Sequence, residues 1–236
     1  MTVHYRTQGF FIKKADQGEA NQLFTIYTED FGRVEVLGRA IRKIKSKLRS
    51  GADLFYLSEV EFIQGKAQKT LTDALLIEKF PNIRDNLRKL VVVQKIANVI
   101  EELVRGQEKD PAVWELLNET FEKLEEDNSE IVYYYFIWNF LSLSGYLPEL
   151  SYCVRCREIL APGHFCFSFN EGGVVCNVCS SKKNDLYKIN SDLIKVLRLL
   201  VQRNWGVLDR MKIDSFTQKL LENVSRTYLS EILGKN

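Results

Sequence analysis

The first eighty residues alternate between apolar and polar positions in short runs. Phe10-Phe11-Ile12 heads one strand and is followed by Lys13-Lys14. Residues 22–28 put Phe24 and Ile26 on one face and Thr25 on the other, the period-two pattern of a strand. Glu29-Asp30-Phe31-Gly32 reads as a hairpin turn, and residues 33–37 as the return strand. In residues 54–63, Val60 and Phe62 alternate with Glu59 and Glu61; Gln64-Gly65-Lys66 turns the chain, and residues 69–77 pair back. Five short strands in so short a stretch predict a small closed β-barrel of OB type. An SH3-like barrel is the rival, and strand count alone does not separate the two.

From Phe80-Pro81 the period becomes helical. Leu90, Val93, Ala97, Ile100 and Val104 form one stripe, with Gly106 as a natural stop. Asp110-Pro111 is a cap and first-turn pair. Trp114, Leu117, Phe121 and Leu124 then face away from Glu115, Glu119 and Glu122. Ser129 opens a third helix whose residues 131–143 are apolar nearly all round, which places it at the centre of a helical core; Tyr133, Tyr134 and Tyr135 predict some polar rim. Gly145 ends it. Further on, Asn190-Ser191 caps a helix with Leu193, Val196, Leu197 and Leu200 inward, and Trp205-Gly206 breaks it. Asp214-Ser215 starts a last helix with Phe216, Leu220, Val224 and Ile232 on its apolar side. The expected architecture is α+β: an OB-type barrel over residues 1–80, then a helical domain over residues 81–236.

Between those helical stretches lie two C-x-x-C hooks, Cys153-Val154-Arg155-Cys156 and Cys176-Asn177-Val178-Cys179, separated by 19 residues. This spacing is a strong signal for one tetrahedral metal site in a ribbon inserted at about residues 150–182. Zinc suits four soft anionic sulfurs. Four thiolates leave no open position for water, so Cys153, Cys156, Cys176 and Cys179 predict a structural Zn2+ site, contributing about 10–16 kcal/mol of folding energy by analogy with zinc-finger peptides. A disulfide pair would need an oxidising compartment, and a deaminase site would need H-x-E, which neither His4 nor His164 supplies. Cys166 falls in the aromatic alternation of residues 165–169 and reads as a packing residue.

Composition changes the picture through segregation of charge. The net charge is only +2, with 45% apolar and 27% charged residues. Yet residues 33–49 carry seven bases against Glu35, residues 101–130 carry eleven acids and three bases, and residues 182–236 carry eleven bases and six acids. A local cationic face can bind polyanions on a nearly neutral molecule. The stretch Gly38 to Gly51 contains Arg39, Arg42, Lys43, Lys45, Lys47 and Arg49 and no acid. It reads either as a solvated face or as a phosphate-contacting connection, and its place on an OB-type barrel favours the second. Phe10, Phe24, Tyr27, Phe31 and Tyr56 are available for base stacking, although core packing accounts for them equally well. The acid-rich helical face reads as solvent-facing.

No secretory signal is read at residues 1–9, and residues 131–143 are too short to span a bilayer, which points to a cytoplasmic protein. Phosphate-binding, dinucleotide-binding and nucleophile-elbow motifs are absent, and two histidines in unrelated contexts argue against a His-based triad. The expectation is a protein that is not an enzyme.

Several stretches carry a resemblance to the bacterial RecO family of recombination mediators. They are Gly9-Phe10-Phe11-Ile12-Lys13-Lys14, the run from Phe24 to Arg33 leading into the basic segment, Leu71-Thr72-Asp73-Ala74, Phe80-Pro81, and Gly145-Tyr146-Leu147-Pro148-Glu149-Leu150 directly before Cys153. The last is the most specific; after Cys179 the likeness is generic. The resemblance implies an OB barrel, a helical bundle and a zinc ribbon. It implies binding of single- and double-stranded DNA, annealing of complementary strands, and help in loading RecA onto DNA coated by single-strand-binding protein. RecR and the acidic C-terminal tail of single-strand-binding protein are the implied partners, with no membrane, and a nucleoid-associated place in the cytoplasm. The DNA-binding role carries over to Lys13, Arg39, Arg42, Lys43, Lys45, Lys47 and Arg49, and the metal role to the four cysteines. Some family members lack the full cysteine set, which implies a scaffold role for the metal. The alternative is a zinc-ribbon protein-interaction scaffold that does not bind DNA directly.

Overall fold

The computed structural model describes residues 3–104, 106–126, 130–161, 163–181 and 186–234. The chain divides into two compact units, Met1–Tyr133 and Tyr134–Asn236.

The first unit is built on five strands: β1 (His4–Gln17), β2 (Asn21–Thr28), β3 (Gly32–Gly38), β4 (Leu57–Gln64) and β5 (Lys69–Glu78). They close into a barrel in the order β1-β2-β3-β5-β4. All pairings are antiparallel except the short parallel seam of β3 on β5, where Val36 meets Lys69 and Leu37 meets Thr70. This is the OB order, and it settles the choice against an SH3-like barrel. Alternation fills the barrel: Phe11, Phe24, Ile26, Val34, Val36, Val60 and Phe62 make its core.

The run Phe10-Phe11-Ile12 is buried at all three positions, which simple alternation does not explain. Two features do. The register of β1 against β2 shifts between Phe11 and Lys13, so a bulge interrupts the strict alternation at Ile12. The outer face is also covered, because Phe10 packs on Phe121 (ring centroids 4.5 Å apart) and Trp114 (5.4 Å). Both belong to α3 (Pro111–Glu126), which is capped by Asp110 accepting from the Ala112 and Val113 N–H groups. Before it come the short α1 (Pro81–Arg84) and α2 (Leu87–Leu103). On α2 the expected stripe is buried at Val93, Ala97 and Ile100, while Leu90 and Val104 are half-buried. On α3, Leu117, Phe121 and Leu124 are buried and Trp114 is half-buried.

In the second unit, α4 (Ile131–Leu143) begins two residues after Ser129, which lies outside the described residues. Of the expected tyrosine rim only Tyr133 is half-buried; Tyr134 and Tyr135 are buried along with Phe136 and Trp138, because a helix apolar nearly all round is covered on most of its surface. Its one amide is satisfied, with Asn139 Nδ2 donating to the carbonyls of Tyr135 and Leu200 at 2.8 Å each. The ribbon then forms β6 (Phe165–Ser168), β7 (Gly173–Cys176), a helical turn α5 (Asn177–Ser180) and β8 (Tyr187–Ile189), with sheet order β7-β6-β8. Asn190 caps α6 (Ser191–Val201), whose residues Leu193, Val196, Leu197 and Leu200 point inward as expected. The break expected at Trp205-Gly206 comes earlier: α6 ends at Val201, left-handed Arg203 turns the chain, and Trp205 and Gly206 themselves open α7 (Trp205–Leu208); Asp214 caps α8 (Ser215–Ile232). Phe216 corrects the expectation for α8. It is 62% exposed, because the buried face runs instead through Thr217, Leu220, Leu221, Val224 and Tyr228. No helix among the described residues is long and apolar enough to cross a membrane.

Candidate nucleic-acid and metal-binding sites

The connection from β3 to β4 leaves the barrel at Gly38 and returns at Leu57. Its apolar residues hold it down: Ile41, Leu48 and Ala52 are buried in the barrel core. Gly51 lies so close to β5 that a Cβ there would sit 2.0 Å from the Ala74 carbonyl oxygen. Hydrogen bonds stitch the near end to the β1–β2 hairpin, with the Ala40 N–H donating to Asn21 Oδ1 (2.8 Å) and the Arg42 N–H to the Ala20 carbonyl (3.1 Å). A single 3-10 turn, Lys47–Ser50, closes the far end.

On this pinned connection the apolar side chains take the inside and the cations the outside. Arg39, Arg42, Lys43, Lys45, Lys47 and Arg49 are all exposed. Arg42 has a partly exposed ion pair with Asp16 at 3.2 Å. Among the described residues, the other five cations have no carboxylate partner. Lys13 stands apart. It is exposed on β1 and ion-paired with Glu101 of α2. The next lysine, Lys14, bonds Asp53 at 2.6 Å, and Arg84 reaches the same carboxylate at 3.1 Å. Burial would raise the Asp53 carboxyl, but Lys14, the Leu54 N–H and Arg84 outweigh it and hold it below its ordinary value. The acid-rich helices are therefore partly engaged inside the unit: Glu101 holds Lys13, and the Glu125 carboxylate accepts from the Asn82 and Ile83 N–H groups of α1 at 2.8 and 2.9 Å.

The aromatics considered for base stacking are packed. Phe10, Phe24 and Tyr27 are buried, and Phe31 and Tyr56 lie part-buried against the barrel core. Arg84 also covers the Tyr56 ring, 4.7 Å from its centroid.

The cysteine site belongs to the second unit. The thiol sulfurs of Cys153, Cys156, Cys176 and Cys179 all lie within 4.8 Å of one another. Cys156 and Cys176 are 3.8 Å apart, too far for a disulfide. That spacing equals the edge of a tetrahedron with zinc–sulfur bonds of about 2.3 Å, so the donor set fits a closed zinc site. Cys153, which opens the first hook, is buried. Burial would raise its thiol, but N–H groups of Cys156, Cys176 and Arg155 bring it down to about 6. Desolvation and the neighbouring sulfurs of Cys176, Cys156 and Cys153 push Cys179 up to about 12. The Cys153 thiolate is thus favoured and those of Cys156 and Cys179 are resisted, a conflict that a divalent cation removes. Cys166, paired with Val175 and Lys188 in the sheet, is not part of the cluster.

Sequence reading missed the brace of this site. Arg155, inside the first hook, donates from Nε to both carboxylate oxygens of Glu171 (3.1 and 2.9 Å) and from Nη1 to the Cys179 carbonyl at 2.9 Å. It ties the β6–β7 turn and the second hook to the first. The only local signal was a cation between two ligands. Its partner became visible only with the hairpin register that pairs Phe165 with Cys176.

Comparison with known proteins agrees with these features. The family model "Recombination protein O N terminal" matches residues 1–80, and "Recombination protein O C terminal" matches residues 84–236. A "DNA repair protein RecO" from Dehalococcoides mccartyi is 30% identical over 232 residues, covering 98% of this chain and 91% of that protein. Proteins of the same description from Acetivibrio thermocellus (27% over 235 residues, 99% and 93% covered) and Halalkalibacterium halodurans (26% over 233 residues, 98% and 91% covered) are similar from end to end. With both domain models matched in order and the barrel and cysteine cluster in place, the chain belongs to the RecO family.

Proposed function

We propose that this protein acts in DNA repair and recombination by binding single- and double-stranded DNA, annealing complementary strands and assisting recombinase loading onto DNA coated by single-strand-binding protein. One observation carries the reading: a connection pinned to an OB barrel holds six exposed cations outward, five of them with no carboxylate partner among the described residues. Phosphate contacts by such groups release counterions, about 0.7 per contact on single strands, so five contacts give a log–log salt slope of roughly −3 to −4. Cations that neutralise two backbones while leaving base edges free lower the repulsion between strands, which is the physical requirement for annealing. Arg39, Arg42, Lys43, Lys45, Lys47 and Arg49 supply the charge. Lys13 is the weakest of the seven candidates, because Glu101 already neutralises it.

The four cysteines hold zinc in this reading, and the metal's contribution is structural: it clamps the two hooks so that the ribbon keeps its shape. The second unit also offers a cavity of ≈ 200 Å³ between the ribbon and α6, lined by Leu160, Phe165 and Ile194 with Lys195 and Arg198 beside them. Apolar walls beside Arg198 suit an acidic peptide with a hydrophobic end, the chemistry expected of the tail of single-strand-binding protein; Lys195 is the weaker of the two cations, because Asp192 already pairs with it at 2.9 Å. RecR and, indirectly, RecA complete the proposed set of partners, in the cytoplasm at the nucleoid.

Fluorescence anisotropy on a labelled single strand, across a salt series, tests the reading. Tight binding that weakens steeply with salt is expected. Weak, salt-insensitive binding beside tight capture of a folded partner would instead support the protein-interaction scaffold.

A further inference from the structure

The cationic connection carries one residue that neither charge nor packing explains. Ile44 sits between Lys43 and Lys45 and is 90% exposed, the most exposed large apolar side chain among the described residues. Its apolar neighbours in the same segment, Ile41 and Leu48, are buried in the barrel core. Nor does it lie on a loose end. The Ser46 N–H donates to the Lys43 carbonyl at 3.0 Å, closing a four-residue turn with Ile44 and Lys45 at its two central positions, and the Lys43 N–H donates to the Ala40 carbonyl at 3.1 Å. The backbone is stitched on both sides of Ile44, and the turn aims the side chain away from the protein.

We infer that Ile44 is an apolar wedge that contacts the bases of a nucleic acid whose phosphates are held by the surrounding cations. This rests on the DNA-binding reading above and adds what that reading lacks. Phosphate contacts position a backbone without reading its bases, and the barrel aromatics that would ordinarily stack are packed away. Aliphatic side chains set on cationic elements insert between base steps and unstack them. Such an insertion opens base faces on a strand that is to be paired with another. Charge complementarity selects the occupant: an exposed aliphatic side chain flanked in sequence by exposed Arg42, Lys43, Lys45 and Lys47 attracts a polyanion, and the polyanion that offers apolar faces between its charges is a nucleic acid. A bilayer surface would share the charge, but one isoleucine gives little insertion.

The test compares wild type, Ile44→Ser and Ile44→Leu on an oligonucleotide carrying 2-aminopurine, whose fluorescence rises on unstacking. Affinity is read in parallel across a salt series, and anionic phospholipid vesicles form a third arm. Because Ile44 is exposed, the variants should keep the wild-type melting curve. Wild type and Ile44→Leu should raise the fluorescence. Ile44→Ser should abolish the rise and weaken binding about fivefold or more, as loss of a partly buried aliphatic contact requires, with an unchanged salt slope. Salt-dependent binding with Ile44→Ser indistinguishable from wild type overturns the wedge and leaves the DNA-binding reading standing. Absence of salt-dependent binding by wild type overturns both. Vesicle binding that Ile44→Ser abolishes, beside unaltered DNA binding, reassigns the residue to a membrane and also overturns the wedge.

Discussion

Arg155 and Glu171 form a two-contact ion pair, from one guanidinium nitrogen to both carboxylate oxygens at 3.1 and 2.9 Å, across the ribbon that carries the four cysteines. Partners that orient metal ligands without binding the metal tune affinity by about 10- to 100-fold. Arg155→Ala should therefore lose zinc to a competing chelator at about 10- to 100-fold lower chelator activity than wild type. A colorimetric chelator titration measures this. Equal retention by both proteins would leave the pair with no role at the site.

Removing the metal should act on one unit only. A bound cation ties the two hooks together, so stripping zinc, or Cys153→Ser, should lower the melting temperature of the cysteine-bearing unit. Single-strand affinity and its salt slope should be retained, because the barrel has its own core. Calorimetry before and after chelation, followed by a DNA titration, checks both halves. Loss of DNA binding together with the metal would place the ribbon in the nucleic-acid site.

Asp53 predicts an acid limb for the barrel. Its folded carboxyl lies below the ordinary value near 3.8, held there by Lys14, the Leu54 N–H and Arg84 against the effect of burial. The unfolded chain then binds the extra proton first, so this contribution is complete above the unfolded value and is lost as pH falls through the folded one. Asp53→Asn should cost about 1–3 kcal/mol at neutral pH and less at pH values below 3.8. Denaturant unfolding at both ends of that range gives the difference. A cost independent of pH would remove the charge from the explanation.

In the second unit, the buried Trp138 indole N–H donates to Ser225 Oγ at 3.0 Å. Ser225→Ala removes the acceptor and leaves a buried donor behind, which should destabilise the protein by about 1–3 kcal/mol. Urea unfolding monitored by tryptophan emission reads it, and a variant as stable as wild type would show that the bond contributes nothing net.

What could be read from the sequence follows from how local each constraint is. Strands β2 to β5 were legible because one barrel face is apolar and their turns hold Gly32 and Gly65. The start of β1 was not: residues 4–8 carry His4, Arg6 and Gln8, and their strand character comes from pairing with β4, where His4 meets Ile63 and Gln8 meets Glu59. Strand β8 was missed for the same reason, since three residues gain their pairing only from β6. The hooks were fully legible because ligand spacing is a local property. Phe216 misled because a helical stripe read from sequence includes its first turn, and here the core begins one residue later, at Thr217. The basic segment was visible as charge; its anchoring through Ile41, Leu48 and Gly51 was not, because it depends on the closed barrel beneath.

The central claim is that the connection between β3 and β4 grips the sugar–phosphate backbone. Its most direct test is the slope of log affinity against log salt for a single strand, in wild type and in the triple variant Arg42→Ala, Lys43→Ala, Lys45→Ala. Three lost contacts at about 0.7 counterion each predict a slope shallower by about 2, with weaker binding at low salt and an unchanged melting curve. Superimposable lines for the two folded proteins would contradict the account and leave the cations as a solvated face.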